Sequence, residues 1–394
     1  MAVYAGRRVH LVVVLVIALL PVAAPWLQQL PALRAYGRRL TCRAPTRPCD
    51  APTRTFLMAT AVEARQRART LVSTQWLQDR IDQGAPDLVV LDVRGQVGKR
   101  DVGAGRVETT YEALAGAFAE EHIPGAVFVD WTRDIVDLYD DSAPVQLAPL
   151  DVFAGAMEEK GVGTDKTVVI YDTGKMLFAT RLWWALTIYG HEDVRILDGG
   201  WKRWTHEGRD TESGVTTCPL KLQASFAARE AWPMLRCGAP DVQQLLPSLQ
   251  LQLQAEATVG SEKKPRQLID ARGKVQFDGF EMRAARGGRI PGAVNVPYKV
   301  LIDAAAGGYL PLQQMRQELQ ARGVFLSDDA GASSADLENA APETVIYCNG
   351  GVASTAVLFA MWQLGVPLAR LSNYDGSWGE WGNQDDEASF PVEV

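Results

Sequence analysis

Four short motifs occur twice in this 394-residue chain, in the same order each time, and that duplication limits the possible folds more than any other feature. Leu88-Val89-Val90-Leu91-Asp92-Val93-Arg94 returns as Gln267-Leu268-Ile269-Asp270-Ala271-Arg272. His122-Ile123-Pro124-Gly125-Ala126-Val127 returns as Arg289-Ile290-Pro291-Gly292-Ala293-Val294. Val168-Val169-Ile170-Tyr171-Asp172 returns as Thr344-Val345-Ile346-Tyr347-Cys348, and Leu197-Asp198-Gly199-Gly200-Trp201 as Tyr374-Asp375-Gly376-Ser377-Trp378. The offsets are 178, 167, 176 and 177 residues. A repeated unit of that size is a whole domain. The short second offset predicts a longer, acidic loop in the first copy, around Asp101 to Glu121.

Within each copy, short apolar runs alternate with helix-like stretches. Leu88–Leu91, Val168–Tyr171 and Val345–Tyr347 read as buried strands, and Leu177–Tyr189 and Ser354–Leu364 as helices. This alternation predicts an α/β fold made twice in tandem, each time a parallel sheet with helices on both faces. The expected divisions are an N-terminal segment over 1–70, a first domain over 71–215, a linker over 216–240 and a second domain over 241–394. Pro247–Pro265 and Ser327–Pro342, polar or rich in Ala and Ser, are expected to be surface insertions.

Charge sets the first 70 residues apart. They hold eleven Arg, no Lys, one Asp and one Glu, a net +9, so a chain whose total is −7 carries −16 elsewhere. Arg7 and Arg8 precede an apolar run within residues 9–24 that ends in small residues and prolines, a signal-peptide pattern. The run is short for a membrane span of about 20 residues. The Arg-rich, acid-poor stretch that follows, through Arg54, matches an organellar transit segment. The leading expectation is import into a mitochondrion or plastid, with membrane contact only through residues 9–24 if they are retained. The alternative is translation from Met58 and a cytoplasmic protein. The acidic remainder argues against nucleic-acid binding. Five cysteines are too few, and odd in number, for a disulfide-built mini-protein. Cys42 and Cys49 have no His partners, so no metal site is expected.

The chemistry concentrates at Cys348. Val345 to Ser354 runs strand, tight loop, helix, and ligands of such sheets bind at the carboxyl ends of the strands. Gly350 and Gly351 let the backbone curl so that successive N–H groups point inward, and the following helix adds its positive dipole end. Both favour a sulfur anion, the state in which a thiol is a nucleophile. Against this stands the commoner fate of a Cys after an apolar strand, burial as a small hydrophobe.

Residues 71–394 resemble the tandem-domain rhodaneses, the thiosulfate and 3-mercaptopyruvate sulfurtransferases. The motifs carrying the resemblance are Cys348-Asn349-Gly350-Gly351-Val352, Asp270-Ala271-Arg272, Ile290-Pro291-Gly292-Ala293 and Asp375-Gly376-Ser377-Trp378. The resemblance implies two tandem rhodanese-like domains, the second catalytic and the first, with Asp172 in place of Cys348, a non-catalytic copy. It implies a double displacement with no cofactor and no metal, in a protein expected to be a monomer. Cys348 takes the outer sulfur of a small anionic donor, the amides of Asn349, Gly350, Gly351, Val352 and Ala353 hold the resulting persulfide, and cyanide or a thiol acceptor removes the sulfur. Ser377 matches a residue that hydrogen-bonds near the sulfur, or is a turn residue. Asp270 and Arg272 match a pair at the pocket edge, or pin the strand end.

Departures from the family pattern bear on the donor. Asn349 and Gly350 are neutral where some thiosulfate-type members are basic, and the loop lacks the Ser or Thr frequent in mercaptopyruvate-type members. Ala353 stands for the usual Thr, and Gln276 for an Arg often found six residues after the motif Asp. Anion binding then falls to Arg272, Lys274, Arg283 and Arg289, with Arg286 and Arg181 in reserve. Thiosulfate is the expected donor and 3-mercaptopyruvate the alternative.

The remaining features are bland. His122 is replaced by Arg289 in the second copy, which argues against a general base, and Trp183, Trp184, Trp201 and Trp204 read as core. Cys218 and Cys237 flank the join, and spacing alone does not pair them. A cysteine phosphatase needs an Arg six residues after its Cys, where Ser354 stands. A persulfide carrier, or a docking module that has lost catalysis, remains as the reading from another class.

Overall fold

The computed structural model describes residues 63–394 apart from 104–105, 215–223, 256–265 and 327–342. Of the expected N-terminal segment over 1–70, residues 1–62 lie outside the described residues, as do the Ser327–Pro342 insertion and Cys42, Cys49 and Cys218, whereas residues 63–70 are helical and Glu63 accepts from Trp362 Nε1 and Leu368 N. The strands of the first copy are β1 (Leu71–Val72), β2 (Leu88–Asp92), β3 (Gly95–Gly103), β4 (Arg106–Ala113), β5 (Val127–Phe128), β6 (Thr167–Tyr171) and β7 (Val194–Leu197). Those of the second are β8 (Arg236–Cys237), β9 (Arg266–Asp270), β10 (Ala293–Asn295), β11 (Glu343–Tyr347) and β12 (Leu371–Tyr374).

The duplication extends to topology and register. The first sheet runs β1-β7-β6-β2-β5 and the second, read from its other edge, β8-β12-β11-β9-β10, all strands parallel. Asp92 lies beside Tyr171 in one sheet as Asp270 lies beside Tyr347 in the other. The central strand β6, Thr-Val-Val-Ile-Tyr, is buried throughout, as a strand covered on both faces must be.

Two helices join the copies. Leu177–Ile188 follows β6 and is buried at every residue, and Ala353–Gln363 follows β11 and is buried nearly as completely. A helix apolar on all sides needs neighbours on all sides, and these two pack on each other. The Trp183 ring lies 4.8 Å from Phe359 and 5.0 Å from Trp362, and the Thr180 and Thr355 hydroxyls meet at 3.1 Å. One hydrophobic cluster therefore runs from Val89 in the first copy to Leu371 in the second.

Three expectations need correction. The acidic loop expected around Asp101 to Glu121 begins instead as an antiparallel hairpin, β3 with β4, followed by the short helix Ala115–Glu120. Along β4, partly buried Val107, Thr109, Tyr111 and Ala113 alternate with exposed Arg106, Glu108, Thr110 and Glu112. That period of two marks a strand with its charges on the outer face. The hairpin crosses to the second copy, where Val107 N donates to Met282 O at 2.9 Å and Lys99 Nζ pairs with Glu281 at 3.1 Å. Second, the expected linker gives up Arg236–Cys237, which form the edge strand of the second sheet beside β12. Third, Pro247 lies inside the helix Ala239–Ala255 and does not open an insertion. Leu245, Leu246 and Leu249 are buried with Val242 against Leu268 and Tyr347, and that burial offsets the hydrogen bond a proline removes.

Candidate active site

Cys348 follows β11 at the carboxyl end of the second sheet and is 3% exposed. Its loop is fastened to the turn after β12. Ser377 Oγ accepts from the N–H groups of Cys348 and Gly351, each at 3.0 Å, and donates to Tyr374 O at 2.7 Å. Trp378 N donates to Cys348 O, and Gly379 N to Asn349 O. Ser377 holds a left-handed φ of 52°, a strained conformation for a non-glycine residue that those three bonds maintain. Gly351 has φ +70°, and a Cβ there would stand 2.7 Å from Asp375 O, so only glycine fits. Ser354 Oγ lies 3.5 Å from Cys348 Sγ.

Cys348 opens onto a cavity of 320 Å³ that both copies wall. The second copy supplies Asn349, Gly350, Val352, Ala353, Arg272, Gln276, Glu281, Arg283, Tyr298 and Lys299, and the first supplies Val97, Tyr111 and Leu177. Tyr111, Arg283 and Asn349 also border an outer cavity of 540 Å³. Burial opposes the charge on Glu281, but its hydrogen bonds and charge pairs with Arg283 and Lys99 outweigh burial and hold its carboxyl below the ordinary range. With Glu281 ionised and paired with Arg283 and Lys99, the wall residues Arg283, Lys299 and Glu281 together carry one net positive charge.

The equivalent place in the first copy holds the side chain of Asp172. Asp172 Oδ1 accepts from the N–H groups of Gly174 and Met176, and Oδ2 from those of Phe178 and Ala179, at 2.8–3.3 Å. There the loop and first helical turn present four amides to one carboxylate, as a helix start does for anions generally.

The Rhodanese-like domain family matches residues 73–207 and 253–384, the two copies in turn. The chain belongs to the rhodanese family. It is similar to the 3-mercaptopyruvate sulfurtransferase of Escherichia coli K12, at 30% identity over 82% of this chain and 98% of that protein. It is also similar to the thiosulfate sulfurtransferase of Gallus gallus, at 29% identity over 81% of this chain and 95% of that protein. The crystal structure of a 3-mercaptopyruvate sulfotransferase from Escherichia coli superposes with a TM-score of 0.59 at 29% identity, over 78% of this chain and 98% of that one.

Within this rhodanese framework the expected anion-binding cations separate. Arg283 lines the Cys348 cavity, paired with Glu281 at 2.8 Å. Arg272 also lines it, but its guanidinium bonds Asp270 and Gly288 O and lies 4.4 Å over Trp378. Burial works against the Arg272 charge, and the adjoining Asp270 and Tyr347 overcome it, holding its pKa above the usual value. Asp270 and Arg272 thus pin the strand end, as Asp92 and Arg94 do in the first copy. Lys274 is exposed and pairs with Asp278, and Arg289 pairs with Glu393 and stacks on Phe277, so neither lines the cavity. Arg286 is taken up by the carbonyls of Trp381 and Phe390.

Arg181, expected as a reserve anion site, is a brace between the copies. It is 1% exposed, bonds Asp375 Oδ1 at 2.7 Å, Gly351 O at 3.1 Å and Val145 O at 2.9 Å, and lies over Trp184. Ser377 reaches the loop amides and Tyr374 O, so it positions the loop's backbone. Gln276 accepts from Asn349 Nδ2 at 2.8 Å, tying the loop to the cavity wall.

Sequence reading missed Tyr111, Ser354, Tyr298 and Lys299. Tyr298 and Lys299 lie just past the carboxyl end of β10, so the strand-end rule applied to every strand would have found them. The period of two through Val107 to Ala113 was the available signal for Tyr111.

Proposed function

We propose that this chain is a sulfurtransferase that moves a sulfane sulfur from a small anionic donor to cyanide or a thiol, through a persulfide on Cys348. The single observation carrying the reading is Cys348 at the floor of a cavity, in a loop whose duplicate cradles a carboxylate on four backbone amides. In the first half-reaction the Cys348 thiolate attacks the outer sulfur of thiosulfate. The new Sγ–S bond forms as the donor's S–S bond breaks, and sulfite leaves with the electron pair. In the second, the acceptor takes the outer sulfur and the thiolate returns. The Gly351 amide is already given to Ser377 Oγ, so the amides of Asn349, Gly350, Val352 and Ala353 are the ones left to offset the anionic charge, and Ser354 Oγ supplies one more donor at the sulfur.

Thiosulfate is the leading donor. The second reading, 3-mercaptopyruvate, draws on Glu281: one net positive charge among Arg283, Lys299 and Glu281 matches a monoanion better than a dianion. Thiocyanate formation with each donor, in wild type and Cys348→Ser, tests both. Turnover that disappears in the variant supports the persulfide route, and the donor with the higher kcat/KM names the substrate. A folded wild type that turns over neither donor would shift the reading to a sulfur carrier or docking module.

A further inference from the structure

The first copy has no cysteine at the position of Cys348, yet it reaches into the Cys348 cavity through its hairpin. Alternation along β4 points Tyr111 inward with Val107 and Thr109. The β3–β4 register sets Tyr111 opposite Val97, and both line the cavity. The ring is seated edge-on against Trp131, with centroids 5.8 Å apart, and Trp131 is itself anchored by its Nε1 donating to Glu112 O at 3.0 Å. The phenolic oxygen stands over the persulfide loop: a Cβ added at Gly350 would lie 3.2 Å from it. The hairpin is held there by Lys99 on Glu281 and by the Val107 to Met282 backbone bond.

The chemistry of this phenol suits a hydrogen-bond donor. Burial raises its pKa, and the negative charge of Cys348 raises it further, against the smaller opposing effects of Arg283 and Thr109. It therefore keeps its proton at every working pH. A protonated phenol has one hydrogen to donate, and Tyr111 lines the cavity into which it can be given.

We propose that Tyr111 is a substrate-binding residue of the Cys348 cavity, donating a hydrogen bond to the anionic group of the sulfur donor and to the same group as it departs. The inference rests on the Cys348 persulfide reading. With thiosulfate, the electron pair of the breaking S–S bond goes to sulfite, whose oxygens are the acceptors. Tyr111 transfers no proton, and its bond strengthens as charge collects on the leaving group. The copy without a nucleophile thereby contributes to recognition of the donor.

The test is Tyr111→Phe, which keeps the ring against Trp131, with thermal melts to establish folding. Steady-state kinetics with thiosulfate and cyanide separate the half-reactions of a ping-pong enzyme. Tyr111→Phe is expected to lower kcat/KM for thiosulfate by about tenfold or more, the usual effect of losing a hydrogen bond to a charged group, with kcat/KM for cyanide unchanged. Equal losses in both parameters would mark a structural role and overturn the proposal, as would no loss in a folded Tyr111→Phe. Turnover surviving in Cys348→Ser would instead overturn the persulfide reading, so the two failures are distinguishable.

Discussion

The loop after β6 and the loop after β11 occupy the same place in duplicate sheets, each ahead of a buried helix, and they meet the same electrostatic situation in opposite ways. In the first, Asp172 turns its carboxylate back onto the amides of Gly174, Met176, Phe178 and Ala179, and the site is closed by its own side chain. Gly307 and Gly308 of the second copy seal it: Gly308 N donates to Gly174 O at 2.9 Å, and a Cβ at Gly307 would stand 2.9 Å from Gly199 O. In the second, the shorter Cys348 side chain leaves the space open, and the covering hairpin stands off far enough to leave 320 Å³. The backbone paths differ as well, with left-handed residues at Gly174 and Met176 in one loop and at Gly351 in the other. The lesson is that a strand–loop–helix place favouring negative charge serves either as a structural plug or as a reactive site. The residue at the strand end and the cover decide which.

Exchanging that residue is the strongest way to break the comparison. Cys348→Asp is expected to be inactive yet to melt no lower than Cys348→Ser, because a carboxylate there meets amides that favour an anion. A melting temperature several degrees below that of Cys348→Ser would mean that the two loops are not equivalent as anion sites. A smaller effect comes from the brace between them. Arg181→Met leaves Asp375 buried with only the partly exposed Arg236 as a counter-charge. Denaturant unfolding is expected to show a loss of about 3–5 kcal/mol, the usual cost of removing one partner of a buried pair. A loss near zero would show that Arg236 compensates and that the copies do not depend on Arg181.

The smallest effect concerns the hairpin, which has no counterpart among the described residues of the second copy. Glu281 has a native carboxyl pKa below its ordinary value, so its contribution is complete above about pH 4.3, the unfolded reference, and is lost as pH falls through the lowered native value. The melting-temperature difference between wild type and Glu281→Gln should be constant near neutrality and vanish in acid. Lys274→Ala and Arg289→Ala, outside the cavity, should leave the KM for thiosulfate unchanged. A difference that grows in acid would place the stabilisation on some other group.

Much of this architecture was legible because duplication and strand periodicity are local patterns. Cys348, its glycines and the paired motifs Asp92-Val93-Arg94 and Asp270-Ala271-Arg272 each lie within a few residues, so spacing alone brought them to strand ends. The cations were harder. Lys274, Arg283, Arg286 and Arg289 form one cluster in the sequence, but their partners Asp278, Glu281, Trp381, Phe390 and Glu393 are spread along the second domain, and only Arg283 is left beside the cysteine. Arg181 was misread for the same reason, since Asp375 is 194 residues away.

By itself, then, the sequence determined the repeat, the parallel α/β architecture and the place of the single cysteine loop, because these follow from residue order over short distances. The tertiary structure decided which charges face the cavity, why one copy's anion site is plugged and the other open, and that Tyr111 reaches across from the first domain. Those depend on which distant surfaces meet when the two buried helices pack, and no local pattern carries that information.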